Sequence, residues 1–173
     1  MGGRQLGAAG AASFVYAAAV LLDEDGSVVE TVLPPDPDEL EHLLLERYVV
    51  PAGSSNVMAR TDLVRRLGGF DERLSVLADW DFWIRLAGSA QGAACGEVLV
   101  GYVQHSGSML LDERHDLIAE FEYLALKHRA AHRARGVELD RLAFSRAVAW
   151  QHRRAGRRGQ AALAYLQGAW DCR

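Results

Sequence analysis

The stretch GGFDERLSVLADWDFWIRLA, residues 68–87, decides how this chain is read. Gly68-Gly69 stops whatever helix precedes it, because glycine accepts the left-handed conformation beyond a helix end. Asp71 suits the same turn, since its short side chain bonds nearby backbone. From Asp79 onward, Trp80, Trp83, Ile84 and Ala87 recur at the three-and-four spacing of one helix face, so a helix is expected over 79–87. An acidic residue at a helix start is favourable in itself, and capping is therefore the plain reading of Asp79. Asp81 and Arg85 stand four apart, the spacing of a helical ion pair, which contributes little if exposed.

Upstream of this block, SFVYAAAVLL (13–22) is a continuous apolar run, expected as a strand covered on both faces. Asp25-Gly26 signals a hairpin, with 27–33 as the return strand. Pro34-Pro35-Asp36-Pro37 breaks regular structure. Asp38 can then cap a helix starting near Glu39, with Leu40, Leu43 and Leu44 on one face. Residues 51–55 read as a loop, 56–60 as a short strand, and Thr61 as the opening of the helix that Gly68 ends. Downstream, EVLVGYV (97–103) reads as a last strand and 105–109 as a loop. The remainder is helical in pattern. Ile118, Phe121, Ala125 and His128 share one face; Leu139, Leu142, Ala143, Ala147 and Trp150 share a second; Leu163, Leu166 and Trp170 form a third. Gly136 and the Gly156/Gly159 pair separate three expected helices.

The 173 residues, half of them hydrophobic and 24% charged, suit one ordinary domain with its own core and room for a small appendage. The net charge of −4 hides an asymmetry. Residues 1–126 hold 8 Lys+Arg against 20 Asp+Glu, and residues 127–173 hold 11 against 3. Opposite signs in consecutive segments imply two units, 1–112 and 113–173, packed partly through that complementarity. Arg4 followed by the apolar stretch 8–22 superficially resembles a signal peptide. That stretch is too short to span a bilayer, and it runs into Asp23-Glu24-Asp25-Gly26 rather than a small-residue cleavage site, so a buried strand is the expectation. Cys95 and Cys172 sit in no paired or metal-type spacing and read as unpaired thiols of a reducing compartment.

Three blocks in order, SSNVMARTDLVRRLGGFDERL (54–74), ADWDFWIRLA (78–87) and GEVLVGYVQHSGSM (96–109), resemble the second half of family 2 glycosyltransferases of the GT-A fold. The resemblance implies a partial GT-A, Rossmann-like α/β portion over 1–112, followed by a basic helical extension over 113–173. It implies inverting transfer of a sugar from a nucleotide diphosphate to an acceptor hydroxyl, a reaction that needs a carboxylate to take the acceptor's proton. Asp79 occupies the matching position. Many relatives carry Glu just before it, where this chain has Ala78.

By the same resemblance His105 lies near the metal and pyrophosphate, an imidazole being a competent ligand for Mn2+ or Mg2+. Ser54, Ser55 and Asn56 face the donor sugar. From the residues themselves, one of Trp80 and Trp83 could stack on a sugar ring through its broad apolar face, and Arg85 could help hold the base or an acceptor, with core packing and an ion pair to Asp81 as the plain alternatives. Ser106, with Gly107 and Ser108, can offer hydroxyls and backbone donors to phosphate. The family's nucleotide-binding half, ending in an Asp-x-Asp metal motif, does not precede these blocks. Asp23-Glu24-Asp25 and Asp36-Pro37-Asp38 are the two substitutes, and both read more simply as turns.

The expected partners are thus a nucleotide-sugar donor and a glycan or lipid-linked acceptor, met in the cytoplasm or at the membrane periphery. The ten Lys+Arg of residues 127–158 could also meet an anionic membrane surface. No nucleic-acid motif accompanies them. Two alternatives remain open: a non-catalytic module of the same family, and a basic helical interaction protein with an unrelated α/β body.

Overall fold

The computed structural model describes residues 12–105, 107, 109, 112 and 114–170. It is a mixed α/β structure built on one central strand, β1 (Phe14–Leu22). On one side β1 pairs in parallel with β4 (Gly92–Val103) along its whole length. On the other side its C-terminal half pairs antiparallel with β2 (Val28–Val32) and its N-terminal half with β3 (Val57–Ala59). The apolar run explains the centre: Phe14 and Tyr16 to Ala19 are all buried. The 23–26 segment is the expected hairpin turn, with Gly26 at φ +83° and Asp25 accepting the Ser27 N–H.

The helices are α1 (Leu40–Glu46), α2 (Thr61–Arg66), α3 (Ala78–Ala87), α4 (Leu117–Lys127), α5 (Arg129–Arg135), α6 (Arg141–Arg154) and α7 (Arg158–Trp170), with a 3-10 turn at Gly53–Asn56. Helix α3 is the hub. Its Trp80, Phe82, Trp83, Ile84 and Leu86 share one buried cluster with Leu40, Leu44 and Leu45 of α1, Phe14 and Tyr16 of β1, and Phe121 and Leu124 of α4. The core therefore runs across residues 112–113. The charge asymmetry is expressed as contacts over that line: Lys127 to Asp71 and Asp81, Arg135 to Glu41, and Arg154 to Asp23.

Several local expectations are corrected. The last strand begins at Gly92, five residues before the expected 97, because pairing with β1 imposes extension on a small-residue run that has little strand preference of its own. Glycine is required at 92, where a Cβ would lie 2.5 Å from the Phe14 ring. The described tail holds four helices, since a break at His128 separates α4 from α5. The buried face of α4 is Phe121 and Leu124, with Ile118 exposed. Asp38 and Thr61 do not cap: Glu39 and Arg60 hold those positions without a side-chain bond. No helix among the described residues is long and apolar enough to cross a membrane.

Candidate functional site

The N-terminus of α3 is organised from two sides. Helices leave their first N–H groups unsatisfied, and here the partner comes from the tail. Glu120 on α4 accepts from the N–H groups of Ser75, Val76 and Leu77 at 2.8–3.3 Å. The N-cap position, Leu77, has no side-chain cap of its own. Asp79 is not the N-cap, but its carboxylate still faces the first-turn N–H groups of Asp79 and Trp80. It sits one residue inside the helix, with its carboxylate turned towards the loop after α1.

There Tyr48 donates its hydroxyl to Asp79 Oδ2 at 2.8 Å. The backbone N–H groups of Ser54 and Trp80 also face the carboxylate. Burial pushes Asp79 above its ordinary value, and these hydrogen bonds offset only part of that push. No cation forms an ion pair with it among the described residues. Tyr48 is 37% exposed as a residue, yet its hydroxyl is sheltered. Burial first, then the Asp79 charge, raises its own pKa well above normal.

The turn that meets this pair is strained. Ala52 is the one non-glycine residue with positive φ among those described, at +56°, and Gly53 follows at +58°. A left-handed alanine costs about 1–2 kcal/mol. Asn56 anchors the turn by donating Nδ2 to the carbonyls of Ala17 and Pro51, at 2.6 and 3.0 Å. A Cβ on Gly53 would lie 3.0 Å from Asp79 Oδ2 and 3.1 Å from the Tyr48 oxygen. Glycine thus lets the turn pack closely against both atoms.

The opposite face of α3 carries a second carboxylate, Asp81, which is fully buried. It accepts from Arg85 at 2.6 and 2.9 Å, from His128 Nε2 at 2.8 Å, and pairs with Lys127 at 2.7 Å. Burial alone would raise its pKa; the bonds from His128, Lys127 and Arg85 outweigh burial and hold it well below the carboxylate range. Arg85 also donates to the carbonyls of Leu67 and Gly69, 2.7 Å each, which locks the glycine turn. Gly68 and Gly69 are at φ +79° and +67°.

No protein-family model matches the chain, and no curated protein is significantly similar to it.

The site residues expected from sequence separate into groups. Asp79 and the backbone of Ser54 meet, and Ser55 is exposed beside them. Asn56 is 8% exposed and spends its amide on the turn. Trp80, a candidate for stacking on a sugar, is corrected to core: it is 2% exposed and donates Nε1 to the Leu44 carbonyl at 2.7 Å, so no face of the ring is left for a sugar. Arg85, expected beside it, has its donors taken by Asp81 and two carbonyls, which makes it a structural clamp.

His105 is exposed and shares a different hollow with Asp23, Glu24, Gln104 and Arg154. Ser106 lies outside the described residues. The donor set around His105 does not fit a divalent cation, because Asp23 is paired with the Arg154 guanidinium at 2.8 Å. No cluster of three or more His, Cys, Asp or Glu suited to a metal occurs among the described residues. Asp36, the other acidic candidate, bonds the Asp38 N–H as a turn.

Sequence reasoning missed Tyr48, Gly53 and Glu120. Tyr48 lies in a segment with no periodicity, and Glu120 reads as a solvated helix residue. Their roles come from contacts made 31 and more than 40 residues away along the chain.

Proposed function

We propose that this chain is the acceptor-side part of an inverting glycosyltransferase of the GT-A type, with Asp79 as general base. The observation that carries the reading is a sheltered carboxylate that has no cation partner among the described residues and is held in place by the Tyr48 hydroxyl. A general base needs an affinity for protons closer to neutrality than a solvated carboxylate offers, and desolvation moves Asp79 in that direction. In the reaction, Asp79 takes the acceptor O–H proton as that oxygen bonds to the sugar's anomeric carbon. The anomeric C–O bond to the diphosphate breaks, and its electron pair leaves with the nucleotide. No step is routed through His105 or a metal. In this reading the donor nucleotide, and any Mn2+ or Mg2+ with it, is held by residues other than those described.

A second reading is favoured by β4. This twelve-residue strand pairs only with β1 among the described residues, and Val98, Leu99 and Val103 on it are exposed. An open edge of that length is a template for further strand pairing. It suits a module that becomes competent only when another α/β segment completes the sheet.

Calorimetric titration with UDP-, GDP- and dTDP-sugars in the presence of Mn2+ or Mg2+ separates the two readings. Binding with release of nucleoside diphosphate, lost in Asp79→Asn with donor binding retained, is the result expected of the enzyme. Absence of both binding and release for every donor leaves the module. Unchanged turnover in Asp79→Asn removes this residue from the chemistry.

A further inference from the structure

Helix α7 packs with its small residues inward and its large ones outward. The buried side is Ala161, Ala164 and Gly168, laid against Ser145, Val148 and Ala149 of α6. A Cβ on Gly168 would lie 2.5 Å from the Ser145 Cβ, so the two helices approach almost backbone to backbone. The apolar stripe expected from spacing faces the other way: Leu163 is 55% and Leu166 65% exposed. Gly159 and Ala162 are exposed on the same side. Between Arg158 and Trp170 the helix carries no charged residue. A helix that is apolar all round is ordinarily covered all round. Among the described residues only α6 packs extensively against it.

The charge around this bare face has one sign. Residues 141–170 hold six arginines and no Asp or Glu. Arg141 and Arg154 are answered from elsewhere in the chain, by Glu122 and Asp23. Arg146, Arg153 and Arg158 are exposed and have no carboxylate partner among the described residues. Arg146 and Arg153 stand seven apart and so share one face of α6. Arg158 and the exposed Tyr165 repeat that spacing on one flank of α7.

We propose that the outer face of α7 docks on an anionic phospholipid bilayer. Leu163 and Leu166 sink among the headgroups, and Arg146, Arg153 and Arg158 meet lipid phosphates. A helix lying in the bilayer interface draws on these two contributions, apolar burial and attraction to anionic lipid. Long arginine stems let the guanidinium groups stay in the wet layer while the leucines leave it. A tyrosine on the flank suits the same boundary, with a ring for the apolar side and a hydroxyl for the polar one. A second copy of the chain fits less well. It would bring the same arginines to a two-fold contact, with no carboxylate in 141–170 to meet them. Nucleic acid would engage the arginines and leave both leucines in water. None of these residues belongs to the Asp79 site, so the docking does not depend on the function proposed above.

The test is cosedimentation of the full chain with two kinds of vesicle. One is phosphatidylcholine alone, and the other is phosphatidylcholine and phosphatidylglycerol in equal parts. Binding is expected to the mixed vesicles and to weaken as salt is raised, because the charges are screened. Each of Arg146→Gln, Arg153→Gln and Arg158→Gln is expected to weaken it about fivefold, and phosphatidylcholine alone to bind roughly 100-fold less. Leu163→Asn and Leu166→Asn are each expected to weaken binding about tenfold. All five positions are exposed, and circular dichroism with thermal unfolding confirms that each variant is folded.

Absence of binding to the mixed vesicles, or equal binding to both kinds, overturns the proposal. Full vesicle binding by Leu163→Asn and Leu166→Asn overturns it too, since the contact is then charge alone. A dimer that Leu166→Asn dissociates, in place of vesicle binding, assigns the face to a second copy. RNA binding that is lost in Arg153→Gln and kept in Leu166→Asn, again in place of vesicle binding, assigns the arginines to nucleic acid.

Discussion

Asp79 and Asp81 are two residues apart on one helix and have opposite electrostatic histories. Asp81 is the more deeply buried, yet three cationic or donor side chains hold it ionised, well below the usual carboxylate range. Asp79 is less buried but receives only a tyrosine hydroxyl and backbone N–H groups, and its pKa rises. Burial by itself therefore does not decide whether a carboxylate becomes a base; the presence of a cation does. The faces of α3 divide the labour accordingly. The Asp81 face ties the glycine turn and the tail helices together, and the Asp79 face is left electrostatically unfinished.

The comparison can be broken first at Asp81. Asp81→Ala strips a partner from Arg85 and His128 in a buried setting and is expected to cost about 3–5 kcal/mol in urea or thermal unfolding. A loss under 1 kcal/mol, as for a surface pair, makes the network incidental. Asp79→Asn is expected to do the reverse: transfer falls about 10²- to 10⁴-fold, while stability is unchanged or rises, because a desolvated charge is removed. A marked loss of stability in this variant assigns Asp79 a structural role.

Titration sharpens the same contrast, with opposite signs. Asp81, lowered in the fold, contributes stability above its ordinary value of 3.8 that is lost as pH falls below it. Asp79, raised in the fold, binds its proton more tightly when native; its contribution is fully present below 3.8 and is lost as pH rises from there through its folded value. Stability profiles of Asp81→Asn and Asp79→Asn should each lack one of these limbs. Smaller still is Glu120→Ala, which uncaps α3 and is expected to cost about 0.5–2 kcal/mol. Its transfer rate should fall too if the helix start positions Asp79.

Much of the site's frame is legible in the chain. The apolar 14–22 run, the Asp25-Gly26 hairpin, the Gly68-Gly69 stop and the 78–87 helix all follow from local rules of burial, turn geometry and helical spacing. The Asp81–Arg85 spacing announces an ion pair, but not its burial: Lys127 and His128, 46 and 47 residues on, make it part of the core. Trp80 and Trp83 look alike in sequence, since both lie on one helical stripe. The fold buries both in one cluster, and the Leu44 carbonyl takes the indole N–H of Trp80.

The sequence by itself determined the mixed α/β character, the position of the helix that carries Asp79 and the opposite charges of body and tail, because these depend on neighbours within a turn or two of chain. The tertiary structure alone decided that Glu120 caps α3, that Tyr48 and Gly53 frame Asp79, and that His105 stands beside Arg154. Hydrogen bonds and desolvation act over a few ångströms in space, and the residues that supply them here are separated by dozens of positions along the chain.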